Sequence, residues 1–305
     1  MYAKRVENPN SKVMKIAIYG RYFNPEYLPS MQQIVDVLEG SGCKIQIFKD
    51  LHDFIRPRVI FRGPVAEFTG HEDLWKDSNL LLSVGGDGTL LDTIMLVRDT
   101  GIHIAGINLG RLGFLSSTSR HEITQAVGEL LAGHYSLDPR SLVRLDSVGG
   151  HFGNLNFALN EVSIYKSVPN TMITVQAWVD GMFLNSYWAD GLIIATPTGS
   201  TAYSLSCGGP IIAPGCANFL VTPIASHNLT VRPIVIPDSS EIRIRVDSGR
   251  KGYNLSLDSR MEVLQDDTEL LLRKAGFLVN LVRLNHQHFY RTIRDKLAWG
   301  LDARN

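Results

Sequence analysis

An α/β domain with a parallel, Rossmann-like sheet, followed by an all-β domain, is the fold this sequence predicts. Three observations carry that expectation. Short apolar runs alternate with segments of helical spacing up to about residue 135. From Ser136 to Leu284, strand-like runs recur with almost no helical period. Helical spacing then returns in 288–299. Alternating strand and helix implies right-handed βαβ units and a sheet covered on both faces, and 305 residues are enough for two cores.

In chain order, Met14 to Tyr19 is an apolar run closed by Gly20, as a buried strand requires. Residues 30–38 place Met31, Ile34, Val35 and Leu38 on one helical face, with Gly40 and Gly42 ending the segment. Lys44 to Phe48 reads as a second strand and Leu80 to Val84 as a third. A glycine turn and a helix-like run, Thr89 to Val97, follow at once. Ile102 to Ile107 is another strand, and 121–132 another helix. In the second half, Val175 to Val179 and Met182 to Tyr187 flank Asp180-Gly181, a strong hairpin dipeptide. Glu241 to Val246 and Glu269 to Arg273 are further strands. The expected domains are therefore 1–135, 136–285, and a C-terminal helix in 286–305 that packs back on the first domain.

Composition narrows the function classes. Thirty basic residues balance thirty acidic ones, so no whole-molecule field draws in nucleic acid or an anionic membrane. An anionic ligand would have to be held by local donors. The three cysteines, Cys43, Cys207 and Cys216, form no CxxC pair and suggest neither a disulfide framework nor a zinc site. A reducing, cytoplasmic setting is expected, with no apolar signal core at the polar N-terminus and no membrane span.

The first segment able to carry chemistry is Gly85-Gly86-Asp87-Gly88-Thr89. Glycines admit φ > 0 and close approach of a ligand to the backbone. The helix that follows offers free N–H groups and a positive dipole end for phosphate. Asp87 is out of place beside phosphates unless it holds a metal, orients an accepting hydroxyl or takes its proton. The bland alternative is a tight turn in which Asp87 or Thr89 caps the helix. Neither GxxxxGK[ST] nor GxGxxG is present.

The second segment, Asp190 to Pro210, runs from an apolar strand into six hydroxyl residues (Thr196, Thr198, Ser200, Thr201, Ser204, Ser206) and Tyr203, with Gly199, Gly208 and Gly209 interspersed. These supply donors and acceptors, and the glycines expose backbone amides. A Ser/Thr-rich turn is the plainer alternative. The third is Asn160-Glu161, which could hydrogen-bond the diol of a ribose or could be an ordinary turn. Arg111, Arg56 and Arg58 read as solvated arginines, and His227, His286 and His288 lack the spacing of metal ligands.

Taken together, the segments resemble the NAD kinase family. The likeness runs through GGDGT at 85–89, GINLGRLGFL at 106–115, NEV at 160–162, DGLIIATPTGSTAYSLSCGGP at 190–210 and RPIVIPDS at 232–239, in that order. GGDGT alone is shared with lipid kinases; the TPTGSTAY block is far more specific. The resemblance implies an NAD kinase-like fold with the NAD site between an α/β and a β-rich domain. It further implies transfer of phosphate from ATP to the 2′-hydroxyl of the adenosine ribose of NAD, with a divalent metal such as magnesium. Asp87 matches the catalytic aspartate, Gly85, Gly86, Gly88 and Thr89 its phosphate turn, and Asn160 and Glu161 a nucleotide-binding pair. Asp190, Thr198, Thr201, Ala202, Tyr203, Ser206 and Ala225 match positions lining the NAD site. A cytoplasmic homodimer or homotetramer is implied as well.

The sequence departs from the family pattern at Tyr19-Gly20-Arg21-Tyr22-Phe23, where many members carry a more polar turn. Leu257-Asp258-Ser259-Arg260 replaces the frequent Asp-Gly-Gln; Asp258 can still serve. Phosphoryl transfer relies mostly on alignment and charge neutralisation, so Asp87 is expected to orient the hydroxyl and accept its proton late. The competing readings are a lipid kinase, which requires membrane binding, and a non-catalytic NAD(H) sensor, which binds without turnover.

Overall fold

The computed structural model describes residues 13–110, 113–147, 149–266 and 268–299. They fall into two compact units, one of residues up to Pro139 and from Val279 on, the other Arg140–Leu278.

In the first unit β1 (Lys15–Gly20), α1 (Leu28–Gly40), β2 (Lys44–Phe48), α2 (Lys49–Ile55), β3 (Val65–Phe68), β4 (Leu80–Val84), α3 (Asp87–Val97) and β5 (His103–Asn108) follow in order. After the short β6 (Thr118–Ser119) and α4 (Ile123–Leu131), the chain leaves through β7 (Tyr135–Ser147). The four residues read as the apolar face of α1, Met31, Ile34, Val35 and Leu38, are all buried. Two short elements, α2 and β3, were not anticipated; seven and four residues carry too little periodicity to read.

The strands pair in parallel in the order β5-β4-β1-β2-β3. The chain therefore winds outward from β1 through β2 and β3, then restarts on the other side of β1 with β4 and β5. That reversal is a topological switch point between β1 and β4, where loops leaving adjacent strands diverge and open a crevice. Ile16 and Ile18 of β1 join the core packed by α1, α2 and α4. Tyr19 points to the opposite face, where its hydroxyl meets Asp92 of α3 at 3.0 Å.

The second unit is all-β apart from short helical turns. Its strands are the later part of β7, β8 (Phe157–Ala158), β9 (Glu161–Lys166), β10 (Ile173–Val179), β11 (Met182–Ala189), β12 (Gly191–Ala195), β13 (Asn218–Ile224), β14 (Ile234–Pro237), β15 (Ile242–Asp247), β16 (Tyr253–Leu257), β17 (Arg260–Leu264) and the first part of β18 (Leu270–Leu284). The four-residue α5 (Tyr203–Ser206) follows β12. One sheet has the order β14-β13-β12-β9-β16-β17; the other runs β11-β10-β15-β18. The alternation of β15, buried at Ile242, Ile244 and Val246 and exposed between them, turns one face into a core shared with β9, β12, β13 and β16. The hairpin dipeptide is confirmed, with φ of 51° at Asp180 and 78° at Gly181.

β18 is a single strand of 15 residues, three times the run expected at Glu269 to Arg273. Its distal part pairs in parallel with β5, Leu281 beside Ile104. The last helix, α6 (Phe289–Leu297), belongs to the first unit and buries Ile293. Among the described residues no helix is long and apolar enough to cross a membrane.

Candidate functional site

In the first unit β4 ends in the glycine turn, as read, and α3 begins at Asp87, two residues before the expected start at Thr89. Gly85 has φ of 153°, and a Cβ there would overlap the Thr89 side chain, so the turn requires glycine at that position. The cap alternative is not what forms. Gly86 is the N-cap residue and no side chain caps the helix.

Asp87 is instead turned toward the loop after β5. Its Oδ2 accepts the N–H of Phe114 at 2.8 Å; its Oδ1 accepts those of Leu115 at 3.0 Å and Ser116 at 2.9 Å. Gly113 lies against the carboxylate so closely that a Cβ would overlap it. The Ser116 hydroxyl donates to the Gly85 carbonyl at 3.2 Å, tying the same loop to the glycine turn. Residues Gly113 to Ser116 thus pack on the turn and on Asp87. Arg111, just before them in the chain, lies outside the described residues.

A carboxylate offers about four acceptor sites. Three are taken here, two of them on Oδ1. Among the described residues, one acceptor site on Oδ2 has no donor.

Further along α3, the buried Asp92 receives Arg21 in a two-pronged pair, Nε at 2.5 Å and Nη2 at 2.7 Å, beside the Tyr19 hydroxyl. Burial and the Asp92 charge push the Tyr19 phenol well above its ordinary range, so it stays a donor.

In the second unit, the Asn160-Glu161 pair opens β9 with both side chains buried. Asp258, at φ of 50° in the β16–β17 turn, organises it. Its Oδ2 accepts the Leu159 N–H at 2.9 Å, and its Oδ1 those of Asn160 at 2.8 Å and Glu161 at 3.2 Å. Glu161 is 8% exposed, and its Oε2 has no hydrogen-bond partner among the described residues. Burial first, and the Asp258 charge second, push its carboxyl up to about 8, against a smaller opposing bond from the Tyr203 N–H. Two carboxylates in one buried site do not both ionise readily. Burial pushes the Asp258 carboxyl up as well, but its three N–H donors and the Arg260 charge oppose that shift, whereas Glu161 has an unpaired oxygen, so Glu161 is the member of the pair that favours the protonated form.

The hydroxyl-rich block is mostly spent on its own architecture, which corrects the expectation that it presents free hydroxyls. Thr196 donates to the Leu159 carbonyl at 2.5 Å, Ser200 to that of Pro197 at 2.7 Å, and Thr201 to that of Thr198 at 3.2 Å. Ser204 pairs with Thr222 at 2.8 Å, and Thr198 accepts from the buried Arg140 at 3.1 Å. The glycines do not expose amides either. The Gly199 N–H is bonded to Thr196, and a Cβ at Gly199 or Gly209 would overlap the Asn160 carbonyl or the Ser204 hydroxyl. Gly199 lets the turn pack closely on the Asn160-Glu161 strand, and Gly209 lets it pack on Ser204 and Thr222.

The structure brings Asn160, Glu161, Thr198, Thr201, Ala202 and Tyr203 together at the end of β12. Asp190 and Ala225 sit at its other end, where Asp190 N–H donates to Ile224 and its carboxylate meets Lys166 Nζ at 2.6 Å. Five strand residues separate the two ends, roughly 17 Å. Tyr203, exposed on α5, lies within electrostatic reach of Asp190 and so spans part of that gap. Ser206 and Ala225 are exposed. Arg140 was missed; a lone arginine far from the motif gives no sequence signal.

Among the described residues no group of three or more His, Cys, Asp or Glu side chains could hold a metal ion. Asp87, the carboxylate nearest the phosphate turn, has most of its acceptor sites filled by backbone. The donor set does not fit a resident metal held by the protein.

The profile of the ATP-NAD kinase N-terminal domain matches residues 70–135, and that of the C-terminal domain residues 159–284. An NAD kinase of Cytophaga hutchinsonii is 44% identical across 96% of this chain and all of its own length. One from Christiangramia forsetii is 40% identical over the same share of this chain, again matched in full. Among solved structures, yeast NADH kinase complexed with NADH superposes with a TM-score of 0.85 at 24% identity, over 98% of this chain and 94% of that one. An Archaeoglobus fulgidus NAD kinase in complex with ATP gives 0.69 at 23% identity, over 93% and 99%. At those identities the two structures establish the fold alone.

Proposed function

The chain belongs to the NAD kinase family of phosphotransferases, and from that premise we propose that it moves the γ-phosphate of ATP to the 2′-hydroxyl of the adenosine ribose of NAD, making NADP. The support that carries the reading is likeness to curated NAD kinases across nearly the whole chain. The geometry of both half-sites is compatible with it. The glycine turn and the first turn of α3 supply the anion site for the donor's phosphates. Asp87 takes the acceptor hydroxyl on the open site of Oδ2, aligning it and receiving its proton late in a loose transition state. Asn160, Glu161, Tyr203 and their neighbours hold the NAD.

The metal belongs to the substrate in this reading, arriving as the magnesium complex of ATP. Asp190, Thr198, Thr201, Ala202, Ser206 and Ala225 complete the nucleotide surface along β12, and the enzyme works as a cytoplasmic homodimer or homotetramer.

The primary test is formation of NADP from NAD, ATP and magnesium by the purified protein; none, beside an active control, rejects the reading. The role of Asp87 is tested by Asp87→Asn. The amide keeps the shape but loses the basic oxygen, and it sets a donor against the Phe114 N–H. Turnover should fall ~10²-fold or more while NAD still binds; unchanged turnover rejects the assignment.

A further inference from the structure

The segment Tyr19-Gly20-Arg21 lies at the switch point between β1 and β4. β1 and β4 are adjacent parallel strands in a register that sets Gly20 beside Val84. They press together there: a Cβ on Gly20 would lie 2.8 Å from the Val84 carbonyl oxygen. Arg21 therefore leaves β1 just as Gly85 leaves β4, one strand spacing of about 4.8 Å away. A ligand on the glycine turn fills the crevice between these two loops, because the chain diverges from it on both sides.

Arg21 is also held in a fixed orientation. Asp92, only 11% exposed, binds it through Nε and Nη2, while the arginine side chain remains 57% exposed. Asp92 lies five residues beyond Asp87 on α3, about 7.5 Å along the axis. The guanidinium is thus anchored beside the phosphate turn rather than on it. A planar fork with five donors, two of them engaged, keeps donors for an oxyanion.

We propose that Arg21, oriented by Asp92 and Tyr19, binds the polyphosphate of the phosphate donor at the β1–β4 switch point. This rests on the reading that the glycine turn receives the donor. Arg21 would touch the substrate; Asp92 and Tyr19 are positioning residues. The arginine supplies the point charge that the turn and the hydroxyl-rich block lack.

The test is steady-state kinetics of Arg21→Gln, Arg21→Lys and Asp92→Asn, varying ATP and NAD separately, with melting temperatures alongside. Losing a charge-assisted bond to phosphate predicts a KM for ATP raised ~10-fold or more in Arg21→Gln, with KM for NAD unchanged. Arg21→Lys keeps charge without the fork and should fall between that variant and the native enzyme. Asp92→Asn should raise KM for ATP by a smaller factor, because the guanidinium stays but loses its orientation. Arg62→Gln, on an exposed arginine paired with Asp36 away from the turn, should change neither KM. If Arg21→Gln lowers the melting temperature yet leaves KM for ATP unchanged, Arg21 is structural and the proposal is overturned. Equal rises in both KM values also overturn it. An inactive native enzyme refutes the kinase reading instead, so the two failures are distinguishable.

Discussion

Replacing Glu161 by glutamine should stabilise the second unit, increasingly as pH rises. In the folded protein the Glu161 carboxyl is pushed from an ordinary 4.5 to about 8, by burial and then by Asp258. Below about pH 4.5 both folded and unfolded chains carry the proton, and the group costs nothing. Between there and about pH 8 the unfolded chain releases it while the folded chain keeps it, so native stability is lost progressively. Above the folded value both are ionised and the loss is complete. At 1.36 kcal/mol per unit the ceiling is about 5 kcal/mol. Relaxation around a buried pair lowers the effective figure, and a change on the order of 2–3 kcal/mol is expected between about pH 5 and pH 8. Glutamine does not titrate, so any constant cost of its amide cancels from the pH dependence. Urea unfolding of both proteins, without nucleotide, at several pH values across that window measures the difference. A stability difference that does not change with pH would refute the assignment of the proton to Glu161.

Three other substitutions test the packing that shapes the half-sites. Asp258→Asn removes the anion that three backbone N–H groups share; it should destabilise the second unit by about 3 kcal/mol and move the Glu161 break in the stability profile to lower pH, read by the same urea titrations. Gly85→Ala places a methyl against Thr89 at a φ of 153°, and strain on the order of 1–3 kcal/mol should lower the melting temperature and raise KM for ATP; an unchanged enzyme would show that the turn tolerates a side chain. In Gly199→Ala the methyl meets the Asn160 carbonyl, a backbone atom with little freedom to move, so KM for NAD should rise roughly tenfold or more (1.4 kcal/mol per decade) while KM for ATP holds. Equal effects on both substrates would argue against a specific tie between that turn and the Asn160-Glu161 pair.

The local parts of this protein were legible because their signals are local. The run from Leu80 through Val97 carries strand, glycine turn and helix in consecutive residues, and the structure follows that reading nearly residue for residue. Asp180-Gly181 demanded a hairpin through the conformations those two residues accept. By contrast α2 and β3 were invisible, being too short for a period to emerge. The full length of β18 was hidden because Lys274 and Gly276 interrupt its apolar pattern.

What the chain wrote on its own was therefore the order of elements, the family likeness and the identity of the chemical groups. Their states and partners were decided by folding. Asp87 meets a loop 27 to 29 residues away, and the Glu161 carboxyl is pushed up by burial and then by Asp258, 97 residues away in the chain. The hydroxyls around Thr198 look like ligand donors in sequence and act as internal fastenings in space. Arg21 stands out in sequence only as part of a departure from the family pattern; the strand order sets it beside the glycine turn. Residue type fixes which bonds a group can make. Which of them it has left to offer depends on neighbours brought from elsewhere in the chain, and on the water they exclude.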